Sequence, residues 1–151
     1  MHHVGTTYLK EISGPDSVFN TSIAYVMMEA GARLDWHKHP GGQILMITEG
    51  EGYYQERNKP KQTVRKGEVV KCQPDVEHWH GATPESAVSY MASSPAQKGK
   101  TVWLDKLSDE DYFRFLDFCE ADPKVADLVR EDNQFNIINF LFVKKEAFDK
   151  L

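Results

Sequence analysis

The chain has 151 residues, a length typical of one domain with its own hydrophobic core. Hydrophobic residues make up 40% and charged residues 27%, which excludes wholesale disorder, and no run of 18 apolar residues predicts a transmembrane helix. The net charge of −5 arises after residue 100, where 7 basic and 12 acidic residues occur. Residues 1–100 have no net charge and the residues after them are acidic. This distribution argues against nucleic acid or an anionic membrane as partner, because both require a basic surface.

The N-terminus lacks the apolar stretch of a secretion signal, and the two cysteines, Cys72 and Cys119, are too few for a disulfide framework. We therefore expect a cytoplasmic protein, since thiols are kept reduced in that compartment. His2 and His3 are open to two interpretations, as part of an expression tag or as native residues.

Strand-forming residues dominate the first two thirds of the chain and alternate with turn residues. Turns are predicted at residues 29–32, 49–52, 58–60 and 66–67. A turn signal every 8–12 residues favours a sandwich or barrel. The predicted strands are, in chain order, residues 18–28, 43–48, 53–57, 62–65, 69–72 and 87–93.

The pattern becomes helical near residue 108. Ser108 has the character of an N-cap and precedes three acidic residues, and apolar residues from Tyr112 to Cys119 follow helical spacing. A second helix is predicted from Pro123 to about residue 131, and 135–151 fits either a third helix or a buried strand. We predict a barrel domain with an N-terminal arm at residues 1–107 and a helical extension at 108–151, acting as a lid or an oligomer contact.

Four histidines form two His-x-His pairs, His37 with His39 and His78 with His80. Residues i and i+2 of a strand face the same way, so each pair places two imidazoles on one face. Imidazole suits Zn, Cu, Fe and Ni, and Mn when oxygen ligands contribute. The alternative, two solvated polar faces, does not explain why the chain has no other internal histidine. The pairs therefore predict a site for one divalent transition metal.

Around the first pair the chain resembles the cupin superfamily. Gly31, His37, His39, Gln43 and Gly50 have the spacing of the first cupin motif, with glutamine where most members have glutamate. The resemblance spans about residues 15–112. It implies an all-β fold, the double-stranded β-helix or jelly-roll barrel, here with a helical C-terminal extension, and it implies a homodimer.

Residues 67–84 resemble the second cupin motif, which supplies a third histidine at His78. Gln73 and Asp75 occupy positions where the family usually has proline and glycine. Aspartate tolerates the left-handed backbone that such a loop needs, so we expect the loop to keep its shape.

The glutamine variant and the run from His78 to Pro84 resemble a subgroup of small bacterial cupins with a His-His-Gln-His metal site. Some relatives are associated with carboxymuconolactone decarboxylase domains, and others are manganese-dependent hydroxynitrile lyases. The Cys-x-x-Cys-x-x-His pattern of the decarboxylase is absent from this chain, so that activity is not implied.

Carried over to this sequence, the resemblance implies that His37, His39, Gln43 and His78 hold one metal ion, which could be Mn, Fe, Zn, Ni or Cu. Four neutral ligands leave the full 2+ charge of the ion in place. Such a site makes bound water more acidic and attracts anionic or enolate-like ligands.

Two further residues are candidates for catalysis. His80 faces the same way as His78 and is interpreted either as a general base or as a residue that orients another side chain. Tyr90 stands where the lyase-like relatives usually have histidine. Its phenol is a poor base at neutral pH but can donate a hydrogen bond to an oxyanion.

Strand alternation predicts that Ala24, Val26, Met28, Leu34 and Leu45 line an apolar substrate pocket. Trp36 and Trp79, beside the ligands, are expected either to gate its mouth or to pack in the core.

The sequence therefore predicts a metal-dependent enzyme acting on a small oxygenated metabolite by lyase-, isomerase- or dioxygenase-like chemistry. The alternative is a non-catalytic cupin that binds or senses a small molecule. A metal-buffering or structural role ranks last. The expected partners are a small-molecule ligand and a second copy of the chain, with no nucleic acid and no membrane.

Overall fold

The computed structural model of the chain describes residues 2–96 and 98–114. These residues form mainly strands, as the β-branched and aromatic composition predicts, followed by one short helix, α1 (Asp109–Phe113). The strands are, in chain order, β1 (His3–Val4), β2 (Thr7–Ser13), β3 (Thr21–Met28), β4 (Arg33–Leu34), β5 (His37–Lys38), β6 (Gln43–Glu56), β7 (Gln62–Arg65), β8 (Val69–Cys72), β9 (His78–Ala82), β10 (Val88–Pro95) and β11 (Val102–Trp103).

The strands pair antiparallel and form two sheets that share one long strand. β6 pairs with β8 and β10 along its first half and with β7 and β9 along its second half. The first sheet continues from β10 to β3 and β2. The second continues along the other edge of β9, where β4, followed by β1, pairs at Gly81 and β5, followed by β11, pairs at His78. This nearly closed barrel confirms the predicted jelly-roll fold.

The predicted turn at residues 49–52 is wrong, because β6 continues through these residues. Gly50 has a left-handed backbone (φ 74°), and a Cβ atom there would lie 1.9 Å from the carbonyl oxygen of Ala87. Glycine thus lets the strand bend and pass from one sheet into the other, where a larger residue would clash.

The first predicted strand begins at Thr21 and not at residue 18. The Asp16 carboxylate accepts hydrogen bonds from the backbone N–H groups of Val18 and Phe19, at 2.7 and 2.6 Å, and holds them in a turn. The predicted strands at 62–65 and 69–72 are confirmed. The sequence did not predict the short strands β1, β4 and β11 or the longer β2, and it implied β5 and β9 through the histidine pairs without giving their bounds.

The inner faces of both sheets form one apolar core. Along the start of β6, Leu45 and Ile47 point inward with Gln43, while Ile44 and Met46 point out, which confirms the predicted alternation. Further core residues come from the rest of the barrel: Val26, Met28, Ala32, Tyr54, Val64, Cys72, Ala82, Val88 and Tyr90.

A second cluster packs on the opposite side of the β5–β9 sheet and includes α1. Ser108 caps this helix as predicted, because its hydroxyl oxygen accepts the Asp111 N–H at 3.0 Å. Tyr112 is fully buried, and its hydroxyl donates to the carbonyl of Ala82 at 2.7 Å.

The other helices predicted for the C-terminal extension, and Cys119 with them, lie outside the described residues. The domain boundary at residues 107 and 108 therefore stays a prediction. None of the helices in residues 2–96 and 98–114 has the length and apolar character needed to cross a membrane.

Candidate metal centre

Three strand ends bring the predicted ligands together. His37 of β5 lies directly opposite His78 of β9, and β9 also carries His80 on its inner face. Gln43 begins β6. His39 lies just after β5, where its carbonyl accepts the N–H groups of Gly42 and Asp75, both at 3.0 Å.

Asp75 has the left-handed backbone that the sequence predicts for this loop (φ 60°). Its carboxylate lies 3.5 Å from the Lys38 ammonium. The second-motif loop therefore keeps its turn without the usual glycine.

The imidazole rings form one compact group. Ring centroids lie 4.3 Å apart for His37 and His78, 5.1 Å for His37 and His39, and 5.2 Å for His37 and His80. One ring nitrogen from each of His37, His78 and His80 lies within 4.8 Å of the others, so these three buried residues could hold a metal ion. The structure thus brings together all four predicted imidazoles.

Three of the four rings are oriented through Nδ1. His37 Nδ1 lies 2.8 Å from the carbonyl oxygen of Asp35, and His78 Nδ1 lies 3.0 Å from that of Val76. His39 Nδ1 lies 3.2 Å from the Thr101 hydroxyl. A carbonyl only accepts hydrogen bonds, so Nδ1 of His37 and His78 carries the proton and Nε2 keeps a free lone pair. Metal-binding histidines are oriented in this way.

Within the described part of the chain, several buried ring nitrogens and one amide oxygen lack hydrogen-bond partners, and these are atoms that can bind a metal. Nε2 of His39, Nε2 of His78 and Oε1 of Gln43 are buried and have no hydrogen-bond partner among the described residues. Buried polar atoms without partners are costly, and several in one place indicate a missing ligand. The donor set therefore fits a divalent transition metal.

Burial keeps the imidazoles neutral. Desolvation, followed by the neighbouring His78, lowers the pKa of His37 to about 3, and the same two causes lower the pKa of His39 to about 4. Desolvation also lowers the pKa of His78. Neutral rings have the lone pairs that metal coordination requires.

His80 differs from the other three histidines. It is buried, and neither of its ring nitrogens has a partner among the described residues. Its ring lies edge-on to that of Tyr90, with the centroids 5.2 Å apart. Desolvation, followed by the neighbouring His37, holds its pKa well below the usual value. The neutral ring has a lone pair available to a molecule in the barrel, and the same desolvation makes it a weaker base than an exposed imidazole.

Tyr90 lies on β10, facing His80, and its hydroxyl contacts the sulfur of Met28 at 3.9 Å. Burial raises the pKa of its phenol far above neutral pH. The hydroxyl therefore keeps its proton and remains a hydrogen-bond donor.

A cavity of about 720 Å³ extends from the histidine group along the barrel. This volume suits a small organic ligand. His37, His39, Gln43, His80 and Tyr90 contribute to its lining, whereas His78 lies behind it.

Four of the five predicted wall residues line this cavity: Ala24, Val26, Met28 and Leu34. Leu45 does not. It lies in the packed core and lines a small separate void that His80 and Tyr90 also border. Alternation placed Leu45 on the correct face of β6 but not at the depth of the cavity.

Trp36 and Trp79 lie in the second cluster, with Tyr53, Leu107 and Tyr112, so of the two predicted alternatives they pack in a core. Trp103 lies at the cavity instead, with its ring centroid 5.0 Å from that of His37.

Sequence reasoning predicted an N-terminal arm but missed its place at the cavity. His2 stacks on Trp103 at 4.6 Å, His3 joins the sheet as part of β1, and both line the cavity. The signal in the sequence was the adjacent pair His2 and His3, which was left open as a possible tag.

Comparison with known proteins gives two family matches. Residues 24–93 match the cupin domain, and residues 104–151 match the family described as BamP, C-terminal domain. The first match contains every predicted ligand together with His80 and Tyr90.

Among curated proteins, the (R)-mandelonitrile lyase of Granulicella tundricola is 40% identical over 92 residues, which are 60% of this chain and 70% of the lyase. Among solved structures, a cupin-like protein from Thermotoga maritima is 42% identical with a TM-score of 0.72, covering 74% of this chain and 85% of that protein. A cupin 2 conserved barrel domain protein from Rhodopseudomonas palustris, 16% identical with a TM-score of 0.58, covers 82% of this chain and 79% of that protein and shares the fold.

Proposed function

This chain belongs to the cupin superfamily, and we propose that its barrel holds one divalent transition metal and acts as an enzyme on a small oxygenated metabolite. The proposed ligands are His37, His39, Gln43 and His78. The ion would be Mn, Fe, Zn, Ni or Cu. We further propose that the protein works in the cytoplasm as a homodimer and binds neither nucleic acid nor membrane.

One observation carries the proposal: buried, unpartnered ligand atoms lie on neighbouring side chains of one compact histidine group. No partner among the described residues is found for His39 Nε2, His78 Nε2 and Gln43 Oε1. The Nδ1 atoms on the other side of the His37, His39 and His78 rings lie within hydrogen-bond distance of Asp35, Thr101 and Val76, respectively. A stable protein tolerates such a cluster where a bound ion satisfies it.

A metal bound by these neutral side chains supplies Lewis-acid polarisation of a substrate oxygen. The chain supplies the remaining steps. The neutral His80 accepts a proton from the substrate, and the protonated Tyr90 donates a hydrogen bond to oxygen that becomes negative. Ala24, Val26, Met28 and Leu34 hold the apolar part of the substrate and exclude water.

Lyase chemistry is the first reaction to test, because the relative from Granulicella tundricola is a mandelonitrile lyase. Tyr90, however, stands where the lyase-like relatives usually have histidine. A phenol cannot replace a second imidazole as a base, so we expect the reaction or the substrate to differ from theirs.

The test begins with elemental analysis of untagged protein purified without a nickel column, with His37→Ala as the control. The proposal expects close to one equivalent of Mn, Fe or Zn in the wild type and none in the variant. No metal in either protein after reconstitution would overturn the ligand assignment.

The loaded protein is then assayed with cyanohydrins of both configurations and with small hydroxy and oxo acids, against His80→Gln as the matched variant. Turnover that His80→Gln lowers by about 100-fold, with metal content unchanged, supports the proposed enzyme. Saturable binding without turnover would favour the alternative, a cupin that senses a small molecule.

A further inference from the structure

Two segments that the proposed function does not use line the cavity beside the histidine group, where Gly99 and Lys100 are exposed to solvent. One is the N-terminal arm, His2 and His3, and the other is the mouth segment, residues 99–103. Lys100 and Thr101 of the mouth segment line the cavity, and Lys100 is exposed to solvent.

The mouth segment is attached to the histidine group at two points. The hydroxyl of Thr101 lies 3.2 Å from His39 Nδ1, and Trp103 of β11 lies directly opposite His37 of β5. His2 stacks on the Trp103 ring. Lys100 therefore precedes, in the chain, a residue that contacts a proposed metal ligand.

The charge at this mouth contrasts with that of the whole chain. The chain carries a net charge of −5, yet the described residues that line the cavity include Lys100 and no aspartate or glutamate. Within the described residues, the Lys100 ammonium also has no carboxylate within ion-pair distance. Hydroxyl groups of Thr7, Ser22, Ser94 and Thr101 line the same cavity and can donate hydrogen bonds to an anion.

We propose that Lys100 is a specificity-determining residue that binds the carboxylate of the substrate. The substrate class is a small carboxylate with an apolar body and a hydroxyl or oxo group at its far end. The apolar body lies along Val26, Met28 and Leu34, and the oxygenated end reaches the histidine group. This inference rests on the proposed function only for the far end, since the carboxylate contact involves residues of the mouth alone.

The test uses benzoate and hexanoate as probes, with benzamide and hexanamide as neutral counterparts of the same shape. Their binding to the full chain is measured by isothermal titration calorimetry at low ionic strength, in zinc-loaded and metal-free protein. Lys100→Gln is compared with Lys98→Gln, because Lys98 is an exposed lysine of the same loop that does not line the cavity.

The proposal expects each carboxylate to bind more tightly than its amide. Lys100→Gln should weaken carboxylate binding by about 3- to 10-fold and leave amide binding unchanged, since an exposed ammonium is partly screened by water. Lys98→Gln should change neither, and 0.5 M salt should reduce the preference for the carboxylate. Thermal melting of both variants checks that the fold is intact.

Equal binding of acids and amides, absence of carboxylate binding, or carboxylate binding that is unaffected by Lys100→Gln would overturn the inference. The metal-free protein separates the two proposals. If metal never binds but the preference for carboxylate still depends on Lys100, the inference stands while the proposed function fails. If metal binds and the preference is absent, the reverse holds.

Discussion

The two faces of the β5–β9 sheet are built from neighbouring residues and differ in almost every property. On β9, His78 and His80 face the barrel, whereas Trp79 between them is fully buried in the second cluster. On β6, Tyr54 belongs to the barrel core and Tyr53 to the second cluster. Strand alternation alone separates the two groups.

On the outer face most of the buried polar groups have partners, and Arg33 Nε is an exception among the described residues. The Trp79 indole N–H donates to Gln55 Oε1 at 2.9 Å, and the Tyr112 hydroxyl donates to the carbonyl of Ala82. The guanidinium groups of Arg33 and Arg57 lie over aromatic rings, at 4.3 Å from the centroid of Tyr112 and 4.2 Å from that of Trp36. Such satisfied groups stabilise the fold.

On the inner face, by contrast, donor atoms of His39, Gln43, His78 and His80 are buried without partners among the described residues. The comparison teaches that burial by itself does not distinguish a structural aromatic from a ligand. The polar atoms do, because several unsatisfied atoms on neighbouring side chains indicate a ligand that is not part of the chain. Substitutions on the outer face should therefore lower the free energy of unfolding with little effect on metal binding. Substitutions on the inner face should weaken metal binding with little effect on stability.

The largest effect is expected for Trp79→Ala. Removing this fully buried indole leaves a large cavity and should lower the free energy of unfolding by about 3–5 kcal/mol, measured by urea denaturation of the metal-free protein. Metal content per folded molecule should stay the same. Loss of metal from the folded variant would mean that the two faces are not independent.

Next in size is the contrast between His39→Ala and His80→Ala. His39 is held through Thr101 and His80 is not anchored, so the first substitution should weaken metal binding by about 100-fold or more and the second by less than about 3-fold. Competition titration with a chelating dye measures both. The reverse order would show that the ligands are His37, His78 and His80, whose ring nitrogens also lie together.

A smaller effect is expected for Thr101→Val, which keeps the shape of the side chain but removes the hydroxyl at His39 Nδ1. Losing an orienting hydrogen bond should weaken metal binding by about 10-fold while the thermal stability of the metal-free protein changes little. Ser94→Ala, a second hydroxyl at the cavity, is the matched control. Equal losses of metal affinity in Thr101→Val and Ser94→Ala would contradict the orienting role of Thr101.

The smallest effect belongs to the outer face. Tyr112→Phe removes the hydrogen bond to the Ala82 carbonyl and should lower the free energy of unfolding by about 1 kcal/mol, with metal affinity unchanged. Tyr8→Phe is the control, because its hydrogen bond to Glu29 is exposed and should matter less. A change in metal affinity with Tyr112→Phe would contradict the separation of the faces.

Much of this arrangement follows from the sequence. Period-2 alternation is a local property of strands, so the pairs His37/His39 and His78/His80, and the inward row Gln43, Leu45 and Ile47, are predictable from spacing. The Ser108 cap and the left-handed Asp75 are also local and were predicted correctly. In each case the deciding contacts are with near neighbours in the chain.

Only the tertiary structure decided the rest, because its causes lie far apart in the chain. β6 continues through Gly50, and the close approach of Ala87 leaves no room for a larger residue there. Leu45 lies outside the cavity because it packs in the core with residues of other strands. Lys100 and His2 reach the cavity mouth through the pairing of β11 with β5 and of β1 with β4. Such pairings depend on sheet register and packing, which no local pattern specifies.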